Sequence, residues 1–322
     1  MRKIGVAVIG IGFWGKNHVR VFSELHETEL IAVCDINESK IEAIKEKYGV
    51  KGYTDSKELL KRKDIHAVSI CTWTTTHAEE ALKALNAGKH ILVEKPLAST
   101  VPQAKKIIAL ARRKNLYLMS GFIERFNPGV MRVKKEIENE RIGTPVSVTA
   151  RRVSEWPERI GDIGVVKDTA IHDIDILRYI FNEEPNMIYA KAGNLRHKKY
   201  EDYAQIMLTF KDEKTAFIEA NWLTPYRVRE LIITGSQGII NLNYLTQQIT
   251  IDTAGQTIIP RYKWEEPLKK ELQHFAISII ENKQPLVTGI DGLKALIIAE
   301  AALKSAKENK TINVTDALAH DP

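Results

Sequence analysis

The sequence predicts an α/β chain in two parts. Residues 1–122 read as a parallel sheet covered by helices, and residues 123–322 as an α+β domain built on a large, mostly antiparallel open sheet. Three observations predict it. Up to Phe122, short apolar runs alternate with amphipathic helical segments. Beyond it, strand-like runs follow one another through turns such as "KDEK" and "GSQG". The length, 322 residues, exceeds what one hydrophobic core usually serves.

The first strand, with Ile4, Val6, Val8 and Ile9, is apolar throughout, as in a strand buried on both faces. It runs into Gly10, Gly12 and Gly15 and then into a helix with Val19, Phe22 and Leu25 at helical spacing. In such a strand, turn and helix, Gly10 permits the tight turn, Gly12 lets backbone approach a pyrophosphate, and Gly15 lets the helix close on the strand. Free N–H groups near Phe13 and Trp14 then face the anion. The second strand, "ELIAVCD", ends in Asp35, twenty residues after Gly15, where a carboxylate can accept from both hydroxyls of an adenosine ribose. The whole is a Rossmann dinucleotide fingerprint. Asp35 would repel a 2′-phosphate and Ile36 cannot neutralise one, so NAD is expected rather than NADP, with nearby Lys40 weakening the distinction.

The remaining elements follow in order. A helix near Glu38 to Tyr48, the strand "HAVSICT", the helix "HAEEALKALNAG", the strand "HILVEKP", the helix "QAKKIIALARRKN" and the strand "LYLMSGF" complete the parallel sheet, with Gly88 and Asn115 at C-cap positions. Helices "GVMRVKKEIENE" and "DTAIHDIDILRYIF" then flank a strand near Val146 to Arg152. Strand-like runs fill Met187 to Thr253, and helices near Leu268 to Glu281 and Gly292 to Glu308 follow, free to pack back on the first domain. So few helices leave one sheet face to water or to another subunit, and a homodimer or homotetramer is expected.

Composition narrows the function classes. The formal charge of +6 comes from lysines and arginines scattered among acids, as in "KIEAIKEKYG", which are solvated helix faces and not a nucleic-acid footprint. No apolar run reaches membrane-spanning length and "MRKIGVAVIG" is not a signal peptide, so a cytoplasmic protein without a membrane partner is expected. Cys34 and Cys71 lie in apolar runs and read as reduced, buried thiols.

In an open parallel sheet ligands bind beyond the carboxyl ends of the strands. There the chain offers Thr72 and His77 after the third strand, and Glu94 and Lys95 in "VEKP" after the next. A second polar group lies in "KDTAIHDIDILRY". Asp168, His172, Asp175 and Tyr179, spaced four, three and four apart, fall on one helix face, with Ile171, Ile174 and Leu177 on a neighbouring apolar face. An aspartate one turn before a histidine can orient the ring of a general base. A solvated polar face or a structurally satisfied histidine fits the same spacing, while no further cysteine or histidine stands at metal-ligand spacing, so no metal is expected.

With "GIGFWG", Asp35, "CT" with His77 five residues on, "EKP", "GFIERFNP" and "DTAIHDID" in this order, nearly the whole chain resembles the Gfo/Idh/MocA family of nucleotide-dependent sugar and inositol oxidoreductases. The resemblance implies that Lys95 is the active-site lysine, that the Lys95–Pro96 bond is cis, and that Asp168 and His172 are the acid and base pair. His172 would take the hydroxyl proton while hydride passes to the nicotinamide, and Lys95 would stabilise the developing oxyanion. It further assigns Thr72, Trp73, His77, Glu94 and Lys95 to the cofactor, and Lys95, Arg125, Asp168 and His172 to the substrate. Trp73 departs from the proline or asparagine common after "CT".

For the substrate, "ARRVSEWPERIGDIGVVKD" gathers Arg151, Arg152 and Arg159 beside Trp156. Arginine forks suit a diphosphate and an aromatic suits a base or a sugar face. The segment resembles the family branch that oxidises the C3 hydroxyl of UDP-linked N-acetylhexosamines, which is the expected substrate class. Oxidation of an inositol or free sugar is the alternative, with the arginines serving salt bridges in the sheet; a non-catalytic NAD-binding regulator of the same fold is a third.

Overall fold

The structure is a computed structural model that describes residues 3–157 and 161–319. Among the described residues the chain divides into two compact units: one runs to Phe122 and takes in Leu268–Leu293, the other comprises Ile123–Pro267 and residues 294–319.

In the first unit β1 (Ile4–Ile9), α1 (Phe13–Glu24), β2 (Thr28–Cys34), α2 (Glu38–Tyr48), β3 (Lys51–Tyr53), α3 (Ser56–Leu60), β4 (Ala67–Ile70), α4 (Thr74–Asn86), β5 (His90–Glu94), α5 (Val101–Arg113) and β6 (Leu118–Gly121) follow in chain order. Six parallel strands lie in the order β3-β2-β1-β4-β5-β6. All six residues of β1 are buried, because helices cover both faces of the sheet. Asn37 and Asp55 accept from N–H groups in the first turns of α2 and α3, and Gly88 and Asn115 end their helices with positive φ, as their positions predict. The short β3 and α3 carry too few residues to show a periodicity and escaped the sequence reading. The strand order reverses between β1 and β4, the position at whose carboxyl end sheets of this kind bind their ligands.

The second unit opens with a 3₁₀ turn, Ile123–Phe126, and continues through α6 (Pro128–Glu138), β7 (Pro145–Val153), a π turn at Val166–Ala170, α7 (Ile171–Phe181), β8 (Met187–Gly193), β9 (Tyr203–Thr209), β10 (Thr215–Asn221), β11 (Val228–Gly235), β12 (Gly238–Asn243), β13 (Ile249–Thr253) and β14 (Gln256–Ile258). The helix α8 (Pro267–Ile280) and the first turn of α9 (Gly289–Glu308) are counted with the first unit, whereas β15 (Ile312–Asn313) and α10 (Thr315–Ala319) belong to the second. The nine-stranded sheet, β14-β13-β12-β11-β7-β10-β9-β8-β15, is antiparallel except for the β7–β10 pair. On one face α6 packs on α7 and β12, and α7 on β10. The other face is open: Met207 and Phe217 stand opposite one another in register, 44% and 41% exposed. Among the described residues no helix is long and apolar enough to cross a membrane. Cys34 and Cys71 are free and buried, and burial, with Glu80 nearby, pushes the Cys34 thiol up to about 12.

Beneath α7 the second unit buries charge. Arg152 of β7 forks onto Asp173 at 2.7 and 3.1 Å and reaches Glu124 at 2.9 Å, with the Tyr244 hydroxyl donating to Asp173 at 3.2 Å. Arg125 forks onto Asp175 at 2.8 and 2.6 Å. Burial, reinforced by Asp173, keeps the Tyr244 hydroxyl protonated well above its ordinary range. Removing one member of such a network strands the others as buried, uncompensated charges. Arg152→Met should therefore cost about 3–5 kcal/mol, read as a fall in the urea midpoint, and Arg152→Lys should recover only part because an ammonium cannot fork. A loss below about 1 kcal/mol would place the network among surface-like pairs.

Candidate active site

The glycine turn fits a pyrophosphate by what it leaves out. Gly10 has φ +90°, and a Cβ there would lie 2.7 Å from the Thr72 nitrogen. At Gly15 it would lie 1.8 Å from the Gly10 carbonyl oxygen, which is why α1 can start directly against the end of β1. Gly12 is the N-cap of α1 and offers no side-chain acceptor, so the first N–H groups of the helix are left for an anion. Phe13 is 66% exposed beside them and Trp14 meets it edge to face at 5.7 Å.

Asp35 does more than the sequence suggests. One carboxylate oxygen accepts the Ile11 N–H at 2.7 Å and the other the Asn37 N–H at 2.9 Å, so the acid braces the glycine turn. Each oxygen keeps a second lone pair for a ribose hydroxyl. Lys40 brings its ammonium to 3.8 Å from the same carboxylate.

At the ends of β4 and β5, Trp73 is the N-cap residue of α4 and 49% exposed, while the Thr72 hydroxyl accepts from Thr76 at 2.9 Å. His77 is buried, with Nδ1 at 2.8 Å from the Pro96 carbonyl and Nε2 at 3.2 Å from that of Thr72. It thus ties the two strand-end loops together. The Lys95–Pro96 peptide is cis, as the family pattern implies. Glu94 is buried under Lys95 and accepts its N–H at 3.2 Å. Its other oxygen meets Nε2 of His18 at 3.0 Å, and His18 Nδ1 meets the Ser69 hydroxyl at 2.8 Å. Burial alone would lower the His18 imidazole, but the Cys71 and Glu94 groups beside it carry it well above its ordinary value. Sequence reasoning missed His18; the signal was a polar residue on the face of α1 that also buries Gly15, Val19 and Phe22.

In the second unit Asp168 lies in the π turn and His172 in the first turn of α7, both partly exposed, as is Tyr179. Asp175, one turn from both His172 and Tyr179 within α7, is fully buried against Arg125, whose guanidinium also lies 5.1 Å from the Tyr179 ring centroid. The π turn precedes α7 and carries more residues per turn than the 3.6-residue spacing assumes, so it shifts Asp168 relative to that helix. Ile171, Ile174 and Leu177 do form a buried apolar stripe.

The expected arginine cluster is not assembled. Successive residues of a strand face opposite sides, so Arg152 turns inward to Asp173 while Arg151 lies on the open face and pairs with Glu219 at 2.9 Å. Arg125, expected at the substrate, has its fork taken up by Asp175. Arg159 lies outside the described residues. Trp156 is partly exposed, edge to face with Trp222 at 6.4 Å, and the Trp222 indole N–H donates to the Thr169 hydroxyl at 3.1 Å. Among the described residues no three His, Cys, Asp or Glu side chains gather as a metal cage.

Residues 4–122 match the oxidoreductase family described as an NAD-binding Rossmann fold, and residues 130–241 match the GFO/IDH/MocA C-terminal domain. The chain is 28% identical to the myo-inositol 2-dehydrogenase of Thermotoga maritima, covering 97% of this chain and 99% of that protein. It is 32% identical to the inositol 2-dehydrogenase of Rhizobium meliloti, over 95% and 98%. The solved UDP-N-acetylglucosamine 3-dehydrogenase of Acidithiobacillus ferrooxidans, 24% identical, superposes with a TM-score of 0.87 over 96% of this chain and 99% of that one, a likeness of fold. With both domains matched and the glycine turn built for a dinucleotide, the chain belongs to the Gfo/Idh/MocA family of oxidoreductases and is a dehydrogenase acting on CH–OH groups.

Proposed function

We propose that the protein oxidises a secondary ring hydroxyl of a cyclic polyol or sugar, in the manner of the inositol dehydrogenases it resembles along its whole length, with NAD preferred to NADP. The observation that carries this reading is Lys95 directly after β5, at the carboxyl end of the sheet that carries the dinucleotide turn, in a chain that also keeps Asp168 and His172 partly exposed, one in the π turn and one at the start of α7. The UDP-sugar reading loses its main support, since Arg151 and Arg152 face opposite sides of the sheet and are both paired. Bound NAD would supply the hydride acceptor. Lys95 would hold the reacting oxygen and stabilise the charge that develops on it, His172 would take the hydroxyl proton, and Asp168 would orient substrate or base. Thr72, Trp73 and the Asp35 carboxylate would line the cofactor, with His77 and Glu94 supporting the loops around it.

His172→Ala and Lys95→Met should each slow single-turnover reduction of NAD by myo-inositol, or by whichever polyol the wild type turns over, by about two to four orders of magnitude. Direct titration of His172→Ala with NAD should change little. Near-normal turnover of that variant across pH would return His172 to a structural role and leave Tyr179 as the next base.

Asp35→Ala should weaken NAD binding twice over, by removing the ribose acceptor and by loosening the brace on Ile11. Asp35→Asn keeps an oxygen for the Ile11 N–H and loses the charge, so its NADP affinity should rise relative to NAD. If titration finds the ratio of the two unchanged, the carboxylate does not set the preference.

The open face with Tyr203, Met207 and Phe217 supports association into a homodimer or homotetramer through the second sheet. Sedimentation at micromolar concentration should give two or four copies, and Phe217→Glu, facing a second copy, should shift the protein toward monomer. A wild-type monomer would count against this face as an interface.

A further inference from the structure

Residues 194–200, between β8 and β9, read NLRHKKY and bring Arg196, His197, Lys198 and Lys199 together without an acid. The two carboxylates that follow are turned away from solvent. Asp202, fully buried, accepts the N–H groups of Leu195 at 2.9 Å, Arg196 at 2.6 Å and His197 at 2.8 Å. Against the upward push of burial these donors hold its carboxyl below the ordinary value, so it stays an anion within the loop. Glu201 accepts the Val166 N–H on its side chain at 3.1 Å and the Val165 N–H on its carbonyl at 2.9 Å, which ties the loop to the start of the π turn that carries Asp168. Inside the loop the Lys199 and Tyr200 N–H groups donate to Nδ1 of His197 at 3.0 and 2.8 Å, placing that ring's proton on Nε2.

A surface segment with so many internal bonds is built to hold a shape. What it holds out is positive. Arg196 lies over Trp156 at 4.8 Å from the ring centroid and His197 lies 6.5 Å from the same ring. Trp156 leans on Trp222, which bonds to Thr169, the neighbour of Asp168. Among the described residues no carboxylate forms an ion pair with Arg196, Lys198 or Lys199. A guanidinium held over an indole ring is already restrained and loses little further freedom on meeting an oxyanion.

We propose that residues 194–200 form a specificity loop for a negatively charged substituent, phosphate, carboxylate or diphosphate, carried by the sugar or polyol substrate beside Trp156. The loop is already ordered, so recognition costs little further entropy. The proposal rests on the dehydrogenase reading for the position of the reacting ring, and binding is therefore measured apart from turnover.

Calorimetric titration of the NAD-saturated protein would compare matched pairs: myo-inositol with its 1-phosphate, glucose with glucuronate, and N-acetylglucosamine with UDP-N-acetylglucosamine. At least one charged member should bind about tenfold more tightly than its neutral partner, and the pair that responds names the source of the charge. The preference should shrink as ionic strength rises. Combined Arg196→Ala, Lys198→Ala and Lys199→Ala changes, all on exposed side chains, should erase it with the thermal midpoint unchanged. If no charged member binds more tightly than its partner, or the triple variant keeps the preference, the loop has no such role. Charge-dependent binding without NADH formation would leave the loop assignment standing and remove those sugars as dehydrogenase substrates.

Discussion

A distance too short for any side chain governs the first unit: the 1.8 Å between the position of a Cβ on Gly15 and the carbonyl oxygen of Gly10. Only a hydrogen fits there, so α1 begins against the end of β1 instead of a methyl's width away. The rest of the cofactor end depends on that approach. It carries the Ile11 N–H to within 2.7 Å of Asp35, and it sets the buried face of α1 so that His18 reaches both Ser69 on β4 and Glu94 on β5. A helix displaced by a Cβ would lose the brace on the turn and the buried imidazole contacts together, although neither involves residue 15 directly.

The second unit solves a different problem, the burial of charge. Asp173, Asp175 and Arg178 of α7 are buried, which would be prohibitive if they stood alone. Each is answered by a charge of the opposite sign: Asp173 by Arg152, Asp175 by Arg125, and Arg178 by Glu184 at 2.6 and 2.8 Å. Forked pairs of this kind contribute little net stability against their desolvation, but they are directional, and they fix the rotation of α7 on the sheet. That rotation in turn decides which of its polar side chains stay within reach of solvent, and His172 and Tyr179 are the ones that do.

The same division explains what was legible in the sequence. The parallel sheet, the glycine turn, Asp35 and the antiparallel character of the second domain could be read because each follows from local periodicity or from a backbone requirement at one position. "DTAIHDIDILRY" was half legible. Its apolar stripe is correct, but the spacing could show neither that Asp175 is buried against Arg125, fifty residues away, nor that Asp168 lies in a π turn. The arginine cluster failed for a simpler reason, since Arg151 and Arg152 are neighbours in a strand and cannot serve one ligand from opposite faces. His18 and the network around Glu124 were out of reach, because their partners lie 76, 28 and 21 residues away in sequence.

The π turn itself is the last link between fold and chemistry. An extra residue in a helical turn weakens its own ladder, and such turns persist where surrounding contacts hold them. Here Glu201 holds the start of the turn through Val165 and Val166, Trp222 holds its end through Thr169, and Lys167 pairs with Glu300 at 3.0 Å. With these four neighbours held, Asp168 has a position set by Trp222 just after β10, by Glu201 just after the 194–200 loop and by Glu300 of α9, not by α7 alone. A substituent change in that loop would therefore be felt at Asp168 through Glu201. On the proposed reading, substrate selection by the loop and the orientation of Asp168 would be mechanically one device in this unit, even though the residues concerned are more than thirty positions apart in sequence.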